Sequence, residues 1–194
     1  MTIQNKEQAG AFDQLEQRVE RYWDERSEAF SKKRRRELVG GNGAQWQALF
    51  REKLPAGPLR VLDIGTGAGF FAILLALQGQ DVTGIDMSAR MLEEAARNSA
   101  LYGVHPEFRK MNALAPDFPP GQFDVIVTRN LTWTLPDVME AYRNWQRLLK
   151  PGGILLNFDS DNGVLHYGRS QGARDIHGDV SDLSLIHISE PTRP

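Results

Sequence analysis

Residues 60–77 read RVLDIGTGAGFFAILLAL: an apolar run carrying one aspartate, three glycines at alternate positions, then a second apolar run. Glycine accepts the positive φ angles of a tight reversal, so the order predicts a strand turning sharply into a helix. Four more strand candidates follow RVLDI (60–64): DVTGID (81–86), EFRKM (107–111), FDVIVT (123–128) and GILLNF (153–158). Helical patterns lie between them at about 69–78, 88–102 and 137–149. Ser88 suits an N-cap and Gly103 a C-terminal stop; Pro136 suits a first turn, and Pro151-Gly152-Gly153 is expected to close the last helix. Apolar strands alternating with helices imply an α/β, doubly wound, mainly parallel sheet with helices on both faces.

Upstream, Phe12, Leu15, Val19 and Tyr22 recur at helical spacing and predict one or two amphipathic helices over residues 11–38. A second pattern, Trp46, Leu49, Phe50 and Leu54, stops at the helix breaker PAGP, 55–58. Residues 1–54 thus read as a helical cap or lid, and 59–161 as the core. The 194 residues suit one domain, and a net charge of -2 gives no general attraction to nucleic acid. KKRRR at 32–36 is read as a solvated helix face. The absence of cysteine excludes disulfides, thiolate metal sites and cysteine nucleophiles. His105, His166, His177 and His187 lack metal spacing and read as surface residues, so no metal site is expected. The opening MTIQNKEQAG lacks the segments of a signal peptide, and FFAILLAL is too short to span a bilayer. A soluble, cytoplasmic protein is expected.

Sheets of this kind bind ligands at the carboxyl ends of their strands, and the glycines there select the ligand. A dinucleotide fingerprint needs G-x-G-x-x-G. Counted from Gly65 the third position is Phe70, and counted from Gly67 it is Ala72, two residues late. The pattern present is D-x-G-x-G-x-G, with Asp63, Gly65, Gly67 and Gly69. Such glycines let the backbone approach an aminoacyl group and ribose, while Asp63 can brace the loop or reach an ammonium.

In this order of motifs the run from Leu59 to Asp161 resembles the class I S-adenosylmethionine-dependent methyltransferases, in particular the type 11-like small-molecule group, which are Rossmann-like. VLDIGTGAGF resembles their glycine-rich first motif, which implies cofactor binding by Asp63, Gly65, Thr66, Gly67 and Gly69. VTGIDMS places Asp86 at the second strand end, 21 residues after Gly65, where the family takes both ribose hydroxyls, with Met87 beside it. MNALAPDF places Asn112 and Ala113 at the adenine-contacting position, although aspartate is commoner there. FDVIVTRNLTWTLPD and RLLKPGGILL resemble the fourth strand and the helix and strand after it, which implies that Arg129 and Asn130 lie near the methionine moiety. Trp133 is a candidate for the substrate side, and Tyr22, Trp23 and Arg26 for a lid over the cofactor. The resemblance implies S-adenosylmethionine as cofactor and in-line methyl transfer to a small molecule. Alignment of the reacting groups carries most of such a reaction; no catalytic residue is singled out. The missing cysteine excludes the cytosine-C5 type of DNA methyltransferase, and RNLTWTLPD is not the N-P-P-[YF] of amino-methylating DNA enzymes. A NAD(P)-dependent oxidoreductase and a non-catalytic S-adenosylmethionine-binding module are the alternatives.

The end of the chain breaks the pattern. Residues 162–182 are polar and irregular and read as a variable substrate-side loop. Leu183 to Arg193, LSLIHISEPTR, back-translates into a string resembling the transposase adapter of sequencing libraries. Residues 183–194 are therefore expected to be a non-native tail on a fragment. The family's sheet has seven strands and only five are placed here, so GILLNF is expected to be an unpaired apolar edge.

Overall fold

A computed structural model describes residues 3–160 and 183–189. Helices α1 (Ile3–Val39) and α2 (Gly41–Lys53) lead into β1 (Arg60–Ile64), α3 (Phe70–Leu77), β2 (Asp81–Asp86), α4 (Ala89–Leu101) and β3 (Glu107–Lys110). Then come β4 (Phe123–Arg129), a short 3₁₀ turn (Thr132–Thr134), α5 (Val138–Leu148), β5 (Leu149–Ser160) and β6 (Leu183–Ser189). The strands form one sheet in the order β3-β2-β1-β4-β5-β6, with β1 to β5 parallel and β6 antiparallel to β5. Chain order reverses between β1 and β4, which opens a crevice at their carboxyl ends.

Alternation along the strands divides the core in two. Val61, Val125, Val127, Leu156 and Phe158 pack under α2 and α3 with the fully buried Trp46 and Phe50. Leu62, Ile64, Ile126 and Leu155 pack on the other face against Trp145 and Leu148 of α5. The Trp46 ring meets Phe71 and Phe158 edge-on at 4.7 and 4.9 Å, an arrangement that contributes beyond area burial alone. Ser88 caps α4 by accepting from the Met91 N–H at 3.0 Å, and Gly103 follows that helix at φ +66°, both as expected.

Several expectations are corrected. Of the one or two helices expected over 11–38 there is one, and only its start differs, at Ile3. Pro136 precedes α5 instead of entering its first turn, because Asp137 is the N-cap and accepts from the Glu140 N–H at 2.8 Å. Pro151-Gly152-Gly153 lies within β5 and does not itself close α5, which ends at Leu148 with Leu149 as its C-cap; the register against β4 slips between Phe123 and Val125 beside it. Arg34 of the KKRRR run is buried, not solvated, because it pairs with Glu37 and lies 4.5 Å over the Phe30 ring. The edge of β5 is not free, since Leu183–Ser189 pairs along it from Ile154 to Ser160. The expected loop at 162–182 lies outside the described residues. Among those described, no helix is long and apolar enough to cross a membrane.

Candidate active site

The turn after β1 is held from below. The buried Asp63 carboxylate accepts from the Thr66 hydroxyl at 2.6 Å and from the Ala72 N–H at 3.1 Å, tying the loop to the first turn of α3. Burial pushes this carboxyl up to about 7 despite both bonds. The Gly65 and Thr66 N–H groups both donate to the Ile85 carbonyl at 2.9 Å. Gly65 and Gly67 stand at φ +70° and +52°, where L-residues are strained. A Cβ on Gly65 would meet Leu131 Cδ1 at 2.9 Å, and one on Gly67 would meet Phe30 Cε1 at 3.2 Å. The loop is thus pressed between two apolar side chains.

Asp86 ends β2 beside this loop. It accepts from the Gly67 N–H and the Ser88 N–H, each at 2.9 Å, and a carboxylate with two such bonds keeps further lone pairs for a ligand. Burial pushes it up to about 6 against the N–H groups of Ser88, Gly67 and Met87, and Asp24 adds to the rise. At the end of β3, Asn112 donates to Glu16 at 2.6 Å and accepts from the Leu114 N–H at 2.8 Å. Arg129 ends β4 with its guanidinium 4.9 Å from the Phe70 ring and 5.0 Å from that of Trp46. Its Nη2 pairs with Glu37 at 2.6 Å, while buried Nε and Nη1 find no acceptor among the described residues. Asn130 follows at φ +53°, the one non-glycine with positive φ among the described residues.

Helix α1 roofs these strand ends. It is fastened by Glu20 to Lys110 at 2.6 Å, by Asp24, which accepts from the Ser88 hydroxyl at 2.5 Å, and by Glu37 to Arg129. Between roof and strands lies a cavity of about 600 Å³. It is bordered by Gly65, Gly67, Asp86, Met87, Asn112, Ala113, Arg129 and Asn130, together with Tyr22, Trp23, Arg26 and Trp133. Trp23 sits edge-on between Tyr22 and Phe30 at 5.2 and 5.6 Å, and Arg26 lies 3.8 Å over the Tyr22 ring. Trp133 stands at the mouth, 58% exposed. Asp63, Thr66 and Gly69 do not border the cavity: the first two hold the loop, and Gly69 N-caps α3 against Ala95. Sequence reasoning missed Glu16, Phe30, Arg34 and Leu131, which do border it. Phe30 and Arg34 continue the spacing of Trp23 and Arg26 along one helix face, a signal present in the sequence; Glu16 and Leu131 had none.

Comparison with known proteins agrees with this geometry. Residues 61–153 match the family model described as a methyltransferase domain. Residues 61–153 thus carry a methyltransferase domain of the class I S-adenosylmethionine-dependent kind. The chain is 38% identical over 104 residues to the ubiquinone biosynthesis O-methyltransferase of Pseudomonas putida (strain W619), a stretch covering 53% of this chain and 44% of that protein. It therefore spans less than half the length of the curated relatives it matches. Among solved structures it is similar to YcgJ of Bacillus subtilis, with 29% identity and a TM-score of 0.57 over 63% of this chain and 54% of that one. It is also similar to phosphoethanolamine N-methyltransferase 2 of Haemonchus contortus, solved with phosphomonomethylethanolamine and S-adenosylhomocysteine. There the identity is 28% and the TM-score 0.55 over 62% and 29% of the two chains.

The chain's own residues fit S-adenosylmethionine. The glycine loop has no room for side chains, Asp86 keeps lone pairs at a strand end, and Arg129 holds buried donors without an acceptor among the described residues.

Proposed function

We propose that this methyltransferase moves a methyl group from S-adenosylmethionine to a hydroxyl of an apolar, ring-bearing small molecule inside the roofed cavity. The observation that carries the reading is the meeting, in one enclosed space, of a cofactor cradle and an aromatic wall. Asp86 would accept from the two ribose hydroxyls, and Met87, Asn112 and Ala113 would flank the adenine. Arg129, with Nε and Nη1 unmatched among the described residues, would take the methionine carboxylate, with Asn130 beside it. Asp63, Thr66 and Gly69 would act by holding the loop. Tyr22, Trp23 and Arg26 would close over the cofactor as a lid, and Trp133 would border the acceptor. When bound, the cofactor supplies a methyl on a positively charged sulfur that leaves as a neutral thioether. The chain's contribution is alignment and the exclusion of water, which can supply several powers of ten in rate.

A hydroxyl acceptor is favoured by the O-methyltransferase relatives and an apolar one by Val19, Phe30, Leu131 and Leu135 in the wall. Incubation with S-adenosylmethionine and a panel of hydroxylated aromatic compounds tests this, read by mass spectrometry. Methylated product with matching S-adenosylhomocysteine is expected. Cofactor binding with no turnover on any hydroxyl, amine or thiol acceptor would leave a binding module instead.

A further inference from the structure

We infer that Asp159 is a positioning residue for the transfer site, acting through the turn that follows β4; the inference rests on the methyltransferase reading above. Asp159 lies on β5 and does not border the cavity. Its carboxylate nonetheless gathers the segment that does. Oδ1 accepts from the Leu131 N–H at 2.9 Å, and Oδ2 accepts from the Thr132 hydroxyl. Asn157 donates to Oδ2 at 3.3 Å and to the Tyr142 hydroxyl of α5 at 2.9 Å. One step earlier the Asn130 N–H donates to the Phe158 carbonyl at 2.8 Å. The turn is therefore hung from β5 at three consecutive residues.

What hangs there shapes both halves of the site. Asn130 stands at φ +53°, a conformation an L-residue keeps only when its surroundings impose it. Leu131 presses on Gly65, the first glycine of the cradle. Trp133 donates from Nε1 to the Asn130 carbonyl at 3.0 Å, which fixes the ring at the cavity mouth. Without the carboxylate, the Leu131 N–H and the Thr132 hydroxyl lose their acceptor. Asn130 can then relax to negative φ, carrying Leu131 off the cradle and Trp133 off the mouth. Burial pushes the Asp159 carboxyl up, and the donors from Asn157, Leu131 and Thr132 favour its charged form against that.

The test uses the full chain labelled with 5-fluorotryptophan, its resonances assigned by single Trp→Phe changes, with S-adenosylmethionine affinity measured by calorimetry. In Asp159→Ala the Trp133 line should move and sharpen while those of Trp46 and Trp145 stay, and affinity should fall about tenfold or more. Asp159→Asn, which keeps one acceptor oxygen, should restore part of both. Thr132→Val, which keeps the carboxylate, should give a smaller shift of the same kind and still reads the turn if Asp159→Ala does not fold. A folded Asp159→Ala with unmoved Trp133 and unchanged affinity would overturn the role, as would equal shifts at all four tryptophans, which mean general loosening. Should the unaltered protein bind no S-adenosylmethionine, the functional reading fails by itself, while the Trp133 line still decides the positioning of the turn.

Discussion

Replacing Glu37 with alanine should destabilise the fold far more than the loss of an ordinary ion pair. The Glu37 carboxylate is only 10% exposed and serves two guanidiniums, Arg34 at 4% and Arg129 at 9%. Oε1 lies 2.6 Å from Arg129 Nη2, and Oε2 meets Arg34 Nη1. Without it, two cations that lie against Phe30, Phe70 and Trp46 lose the carboxylate they share. Breaking a buried pair costs about 3–5 kcal/mol, against about 0–1 kcal/mol for an exposed one. A domain margin of about 5–15 kcal/mol makes that loss plain in a urea melt. Glu37→Gln, which keeps one oxygen as an acceptor, should lose less. Burial alone would raise this carboxyl, but Arg34 and Arg129 together hold it below the usual range. Its contribution is therefore present above the unfolded carboxylate value of about 4.3 and is lost as pH falls through the lowered folded value. The gap between wild type and Glu37→Ala should accordingly persist at neutral pH and shrink only in strong acid. A cost below about 1 kcal/mol with an unchanged denaturant slope would refute the buried-triad reasoning.

Asp86→Ala should weaken S-adenosylmethionine binding about tenfold or more, because hydrogen bonds to a charged acceptor contribute about 1.5–3 kcal/mol each; an unchanged dissociation constant in a folded variant removes Asp86 from the site. Gly67→Val should abolish binding, since a Cβ at φ +52° is strained and meets Phe30 at 3.2 Å, and full affinity by titration would mean that the loop is no cradle. Asp63 and Asp86 hold raised values of about 7 and about 6, so between about pH 4 and pH 7 the folded state binds more protons than the unfolded one and these groups make stability fall as pH rises. Urea midpoints at about pH 5 and about pH 7.5 check this, with a smaller difference expected in Asp63→Asn; cofactor affinity should run the other way and rise as Asp86 ionises.

Much of the fold was legible because near-continuously apolar strands such as VLDI alternate with helical patterns such as FFAILLAL, and such strand–helix units assemble in few ways. The glycine register likewise pointed to the loop whose φ angles and contacts are described here. Other features were not local. Arg34 sits in a run that looks solvated, and only the fold brings it against Glu37 and Phe30. Leu131 and Asp159 act through a turn hung between two strands, which no spacing in the sequence reveals. Pro151-Gly152-Gly153 looked like a terminator, yet it lies within β5, whose register against β4 slips beside it. The pairing of residues 183–189 with β5 matches the alternation visible in LSLIHIS, and it leaves the expected non-native origin of residues 183–194 a matter of their sequence alone.

The most direct measurement is a calorimetric titration of the chain with S-adenosylmethionine, with NADH titrated into a parallel sample. Saturable one-to-one binding of S-adenosylmethionine and no heat from NADH is the expected result. Saturable binding of NADH with none of S-adenosylmethionine would contradict the assignment of the glycine loop, Asp86 and Arg129 to a methyl-donor site.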